Sequence, residues 1–132
     1  MSNLVEQLRV MDTPYEPGSQ DRIIRFRALR GKSATLYKIW VYLEGSSLPF
    51  VNKVTYILHP TFPEPERIVT RTITNQNCQL VIWAWGTFTL QAVVEDKQGK
   101  LTRLDHYLTF GEEITSAQND PNVKFEKARY ND

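Results

Sequence analysis

The sequence is poor in the residues that most enzymes and secreted scaffolds depend on. It has one cysteine, Cys78, in 132 residues. A disulfide framework within the chain is therefore excluded, and a thiolate metal site would lack partners. It has two histidines, His59 and His106, and neither sits at a metal-ligand spacing. There is no HExxH, CxxC, GxSxG, P-loop or GxGxxG. Charge of either sign is nearly absent in the balance: 16 basic against 15 acidic residues leave +1. That gives no footprint for a nucleic-acid backbone and no polybasic patch for an anionic membrane. No apolar run approaches the length of a membrane-spanning helix. "MSNLVEQLRV" lacks the basic region and apolar block of a secretion signal. These absences predict a cytoplasmic, reducing location, with no cofactor, metal, nucleic acid or membrane as partner.

Paired acid–base groups are equally scarce. Glu112 and Glu113 are adjacent in a segment read as extended, where neighbours point apart. Asp105 and His106 are neighbours on a strand and face opposite sides of a sheet. No catalytic residue is assigned, and the expectation is a protein that is not an enzyme. Cys78 reads as a strand residue before the apolar run "LVIW".

What the sequence does have is a period of two. In "YKIWVYLE", Tyr37, Ile39, Val41 and Leu43 alternate with Lys38, Trp40, Tyr42 and Glu44. "RIIRFRAL", "FVNKVTYIL", "ERIVTRTI", "CQLVIW", "TFTLQAVVED" and "LTRLDHYLTF" continue the pattern, with Phe88, Leu90, Ala92 and Val94 facing inward. Arg25, Arg27, Arg67 and Arg71 read as solvated faces, Trp83 as core, and Trp40 as a packing residue. The turns "RGKS", "EGSSLP", "HPTFPEP", "TNQN", "AWG" and "DKQGK" separate the strands, and Gly99 suits a positive-φ hairpin position. The prediction is all-β: an immunoglobulin-like antiparallel β-sandwich of about seven to eight strands.

The ends break this pattern. "NLVEQLRVM" places Leu4, Leu8 and Met11 on one side of two helical turns, and Pro14, Pro17 and Gly18 then break any helix. The sequence after Phe110 is polar and interrupted by Pro121, and it either wraps back through Val123 and Phe125 or forms a tail. The organisation read from this is an N-terminal extension over 1–20, a sandwich over 21–111 and a polar tail over 112–132. The oligomeric state is left open.

One loop is unusually rich in stiff residues: "YILHPTFPEP". Together with "YKIWVYLEG", "FVNKVTYI", "IWAWGTFTLQAVVED" and "LTRLDHYLTF", in that order and spacing, it resembles the YEATS domain. "LHPTFPEP" and "AWGTF" are the specific parts, and the resemblance runs from about Arg22 to Phe110. Ala84, Leu36, Tyr37 and Lys38 depart from the family pattern. The departures, the low basic content and the lack of a nuclear-localisation run match the prokaryotic branch, which is linked to signalling or defence.

The resemblance implies an immunoglobulin-like fold and a reader of acylated lysine. Carried over by position, Phe62 and Trp85 supply the aromatic rings. Thr61 offers its hydroxyl to the acyl amide, His59 lines the pocket, and the turn at Trp85 and Gly86 offers a backbone N–H. The implied partner is a protein or peptide, acylated on lysine. Each residue also has a plainer reading: His59 as a structural strand end, Thr61 as a turn former, and Phe62 as a plug that pins the loop. The alternative function is an adaptor domain of a bacterial signalling or defence system that binds a protein partner without an acyl-lysine pocket.

Overall fold

Alternating β-branched and aromatic residues bury every second side chain when the backbone is extended, and the chain folds accordingly. The computed structural model describes residues 7–28 and 34–128. Leu4, Leu29 and the "RGKS" turn lie outside the described residues. Nine strands, one α-helix and a short 3-10 turn over Leu48–Phe50 are present among those described. The strands and the α-helix are β1 (Arg9–Thr13), β2 (Ile23–Ala28), β3 (Thr35–Glu44), β4 (Val51–Ile57), β5 (Glu66–Thr70), β6 (Leu80–Ala84), β7 (Thr89–Asp96), β8 (Leu101–Tyr107), α1 (Phe110–Ala117) and β9 (Lys124–Lys127). One sheet has the order β5-β4-β7-β8; the other has β1-β3-β2-β9, with β6 paired to β3. This is the all-β, immunoglobulin-like sandwich that the period predicts, with one strand more than the expected range.

The described residues form two compact units, the first from 7–11, 41–80 and 88–108, the second from the rest. In the first, β4 is the middle of an antiparallel ladder. Val54 stands opposite Val69 and Val94, and Tyr56 opposite Arg67 and Ala92. Val54, Tyr56, Leu90, Ala92 and Val94 are fully buried. Phe88 is only half-buried and precedes β7. Cys78 is not a strand residue. It lies before β6 with φ of +52°, and its carbonyl accepts a 2.7 Å hydrogen bond from the buried Tyr56 hydroxyl. A buried hydroxyl must find an acceptor, and the left-handed turn supplies one. Gly45, at φ +137°, is required for space as well as angle, because a Cβ there would overlap the Gln7 carbonyl oxygen. Gly99 has the positive φ expected of its hairpin.

In the second unit, Ile24, Ile39, Trp40, Ile82 and Ala84 are buried with Phe110, Ile114 and Ala117 of α1. Both chain ends carry structure that periodicity did not reveal. Residues read as helical turns include Arg9, Val10 and Met11, the start of strand β1. The segment with Glu112 and Glu113 is the first turn of α1 rather than extended chain. The helix starts on Asp12. Its buried carboxylate accepts from the Thr109 amide at 3.0 Å, the Thr109 hydroxyl at 3.0 Å and the Phe110 amide at 2.9 Å. That satisfies donors a helix leaves open and sets negative charge at the positive end of its dipole. The tail returns as β9, parallel to β2, with Phe125 opposite Ile24.

Two outcomes follow from the buried polar groups. Asp12→Ala lowers stability by about 2 kcal/mol or more in urea denaturation, and Asp12→Asn by less, because one acceptor oxygen survives. Burial raises the Cys78 thiol from 9.0 to about 11, against a smaller lowering by Arg71. As pH rises from 9 toward 11 the unfolded chain loses this proton first. Stability therefore falls through that window, and Cys78→Ala removes that part of the fall in a pH series of urea midpoints.

Candidate functional site

A strand that ends in Leu-His-Pro cannot continue its ladder, because proline has no N–H to give. The loop over 58–65 is closed at its base by Leu58 N–H donating to the Pro65 carbonyl at 2.8 Å. Within it, Phe62 N–H donates to the His59 carbonyl at 3.0 Å. Pro60 thus occupies the second position of a β-turn, where its fixed φ is preorganised. His59 Nδ1 lies 2.8 Å from Thr61 Oγ1 and accepts from the Thr61 amide at 3.2 Å. An amide can only donate, so Nδ1 carries the lone pair and the ring proton sits on Nε2. The Thr61 hydroxyl pairs with the same nitrogen, and its oxygen keeps capacity to accept from a further donor.

The far side of the loop is held by a residue read as merely solvated. Glu64 has φ of +50°, unfavourable for a residue with a Cβ. Arg67 on β5 donates Nε to the Glu64 carbonyl at 2.6 Å and a terminal nitrogen to the Pro63 carbonyl at 2.7 Å. Arg71 and Arg27 are likewise engaged. Arg71 donates to the Gln76 carbonyl at 2.8 Å, and the Arg27 guanidinium lies 4.1 Å from the centroid of the Trp83 ring. Trp83 is half-buried under that cation rather than in the core.

Phe88 joins the two sequence motifs. Its ring meets Phe62 at 5.4 Å between centroids with a 55° tilt, and His59 at 6.0 Å, edge-on. The structure thus brings His59, Thr61 and Phe62 into one cluster around Phe88 in the first unit. Phe62 is half-buried, while His59 and Thr61 are exposed. Trp85 and Gly86 belong to the second unit, on the turn that follows β6. Trp85 is 59% exposed although Ala84 before it is fully buried, so it is not a core residue. A Cβ on Gly86 would meet nothing within 4 Å, so packing does not demand a glycine there.

The second unit holds a separate cavity of about 310 Å³ between the 15–22 region and α1. Arg22 at its rim pairs with Asp120 at 3.3 Å and lies over the Tyr15 ring at 5.0 Å. The Glu113 carboxyl is held above its ordinary value, chiefly by burial and then by Asp12. Among the described residues no group of His, Cys, Asp or Glu could hold a metal ion, and no helix is long and apolar enough to cross a membrane.

Two sheets carrying a proline-braced aromatic loop at a strand end define a YEATS-type β-sandwich. Residues 36–109 match the family described as the prokaryotic YEATS domain, and the chain belongs to that family. It is 40% identical over 108 residues to transcription initiation factor TFIID subunit 14 of Schizosaccharomyces pombe, covering 79% of this chain and 43% of that protein. The chain thus spans less than half the length of that relative. Among solved structures, it resembles the Yaf9 YEATS domain recognising a succinylated histone H3 peptide. The TM-score is 0.54 and identity 18%, over 82% of this chain and 74% of that one. It also resembles the Yaf9 domain bound to an acetylated H3 peptide, with a TM-score of 0.50 and identity 18%, over 78% and 72%. At that identity the likeness is one of fold.

The exposed Trp85 and the loop-holding Arg67 differ in what they support. Trp85→Ala changes stability by less than about 0.5 kcal/mol, since an exposed side chain leaves no cavity. Arg67→Ala leaves the core intact but frees the loop, seen as loss of amide hydrogen-exchange protection at Phe62 with none at Val54.

Proposed function

We propose that this chain is a non-enzymatic binding module for an acylated lysine of a protein or peptide, carried by His59, Thr61, Phe62, Trp85 and Gly86. The observation that carries this reading is the braced loop in which the Thr61 hydroxyl is held 2.8 Å from His59 Nδ1, exposed and beside the Phe62 ring. An oxygen held there suits an amide N–H. Acylation converts a lysine ammonium, which needs acceptors or anions, into a planar neutral amide with one donor and one acceptor. The Thr61 oxygen suits the donor, and the resemblance to YEATS readers assigns the acceptor to the backbone N–H at Trp85. The faces of Phe62 and Trp85 suit a flat acyl group, and stacking of this kind contributes roughly 0.5 to 1.5 kcal/mol beyond burial. A loop braced by three prolines, Arg67 and His59 loses little freedom on binding. Membership of the prokaryotic YEATS family, together with likeness in fold to Yaf9 YEATS domains solved with acylated H3 peptides, supports the same class of ligand.

One observation favours the adaptor reading. The Phe62 ring already packs on Phe88, so part of its surface supports the loop. In that role the domain would serve a signalling or defence assembly through a protein partner and take no acyl group.

An NMR titration with unmodified, acetylated and crotonylated lysine peptides separates the two. Saturable shifts at Thr61, Phe62, Trp85 and Gly86 are expected only with acylated peptides. Trp85→Ala and Thr61→Val each weaken binding by about tenfold or more, while Thr61→Ser, which keeps the hydroxyl, retains it. No shift at millimolar peptide would remove the acyl-lysine reading and leave the adaptor.

A further inference from the structure

The first turn of the proline-rich loop depends on one lone pair. His59 Nδ1 accepts from the Thr61 amide at 3.2 Å and pairs with the Thr61 hydroxyl at 2.8 Å. Among the described residues the ring has no hydrogen-bond partner outside Thr61. The His59 carbonyl accepts from the Phe62 amide at 3.0 Å, and the rings of His59 and Phe62 both rest on Phe88. One imidazole therefore sets the Thr61 side chain, the Thr61 amide and the turn that carries Phe62. All of these groups belong to the first unit.

Histidine is the side chain that changes charge near neutral pH. In the imidazolium both ring nitrogens carry a proton and neither accepts. The Thr61 hydroxyl can rotate and accept from the new Nδ1–H. The Thr61 amide cannot, because a backbone N–H only donates. Two N–H groups then face each other across a gap that fits one hydrogen bond. The amide has little freedom to retreat, since Pro60 fixes φ just before it and the Phe62 amide ties the turn to the His59 carbonyl. Either the ring swings out or the turn opens, and both end the geometry that holds Thr61 beside Phe62. On the surrounding elements the titratable and charged groups are Tyr56 on β4, Glu64 in the loop, Glu66 and Arg67 on β5, and Asp105, His106 and Tyr107 on β8. Arg67 is committed to the Glu64 and Pro63 carbonyls. His106 stands opposite Leu90, two residues from Phe88, and is the second histidine of the chain. We propose that His59 is a proton-sensitive latch. Neutral, it holds the loop in the form that takes an acylated lysine; protonated, it releases the loop and the ligand with it. The loop half of this inference stands on the geometry alone, and the binding half rests on the acyl-lysine reading.

NMR on the full chain from about pH 8 to about pH 5, the range over which histidine side chains change charge, tests the latch. In the free chain the Thr61 and Phe62 amide resonances are expected to follow the His59 ring resonances, while Val54 stays still. An acetylated lysine peptide with blocked ends and no histidine or carboxylate binds more weakly by about tenfold or more at the acid end. In His59→Asn, Oδ1 lies as many bonds from Cβ as Nδ1 does. It accepts from the Thr61 amide as an Asx-turn and takes no proton in this range. The pH dependence of the amides and of the affinity is therefore absent in His59→Asn and present in His106→Gln. Thr61 and Phe62 amides that ignore the His59 titration overturn the proposal. So does a dependence that persists in His59→Asn or vanishes in His106→Gln, or an affinity that stays level while the loop moves. A chain that takes no acylated peptide at any pH removes the acyl-lysine reading and the binding half with it, and the amides of the free chain then decide the loop half.

Discussion

A phenol sealed from water must find an acceptor, and in this protein that requirement ties the first unit together. Tyr56 has no exposed surface, and its hydroxyl reaches the carbonyl of Cys78, 22 residues further on. The bond is made only because Cys78 takes a left-handed backbone conformation. It fixes the connection between β5 and β6 to the middle strand of the four-stranded sheet. Two residues past Tyr56 the chain leaves that strand at Leu58 and enters the proline-rich loop. The loop therefore starts two residues from a buried, hydrogen-bonded anchor.

The loop itself is held by groups of three kinds. Proline removes backbone freedom before folding begins. His59 and Thr61 bond to each other, so neither side chain is free to collapse onto solvent-exposed backbone. Arg67 holds two successive carbonyls and so stabilises the strained Glu64. These constraints cost conformational entropy in the free protein rather than at the moment of binding. A loop ordered in this way presents its donors and acceptors in fixed directions.

Much of this was legible in the residues. Period-two alternation located the strands from Ile23 to Tyr107, because a half-buried strand writes its two faces directly into the sequence. The loop motifs were legible too, since proline and aromatic residues at fixed spacing leave few alternatives. The structure at the chain ends was not. Strand β1 is five residues long, too short to tell from helical turns, and its Asp12 acts on a helix almost 100 positions away. Helix α1 has eight residues and no side-chain cap of its own, so its start is defined by a distant carboxylate rather than by local sequence. The arginines were misread for a related reason. Exposed position predicts solvation, but the carbonyl acceptors of Arg67 and Arg71 exist only once the turns beside them have formed. Phe88 was read as an inward strand residue. The loop it supports, and hence its contacts with Phe62 and His59, could not be read from its own segment.

The parallel pairing of β9 with β2 bears on how the chain reaches this structure. Ile23 lies beside Lys124 and Phe26 beside Lys127, so these partners are separated by most of the chain. Contacts this distant in sequence close a very long loop, and their entropy cost falls due before the contact gives anything back. During synthesis β2 emerges early and holds its place beside β3. Its other edge stays bare until β9 has left the ribosome. For that interval the nascent chain exposes a strand edge that the finished protein covers, and a chaperone or a neighbouring chain can reach it first.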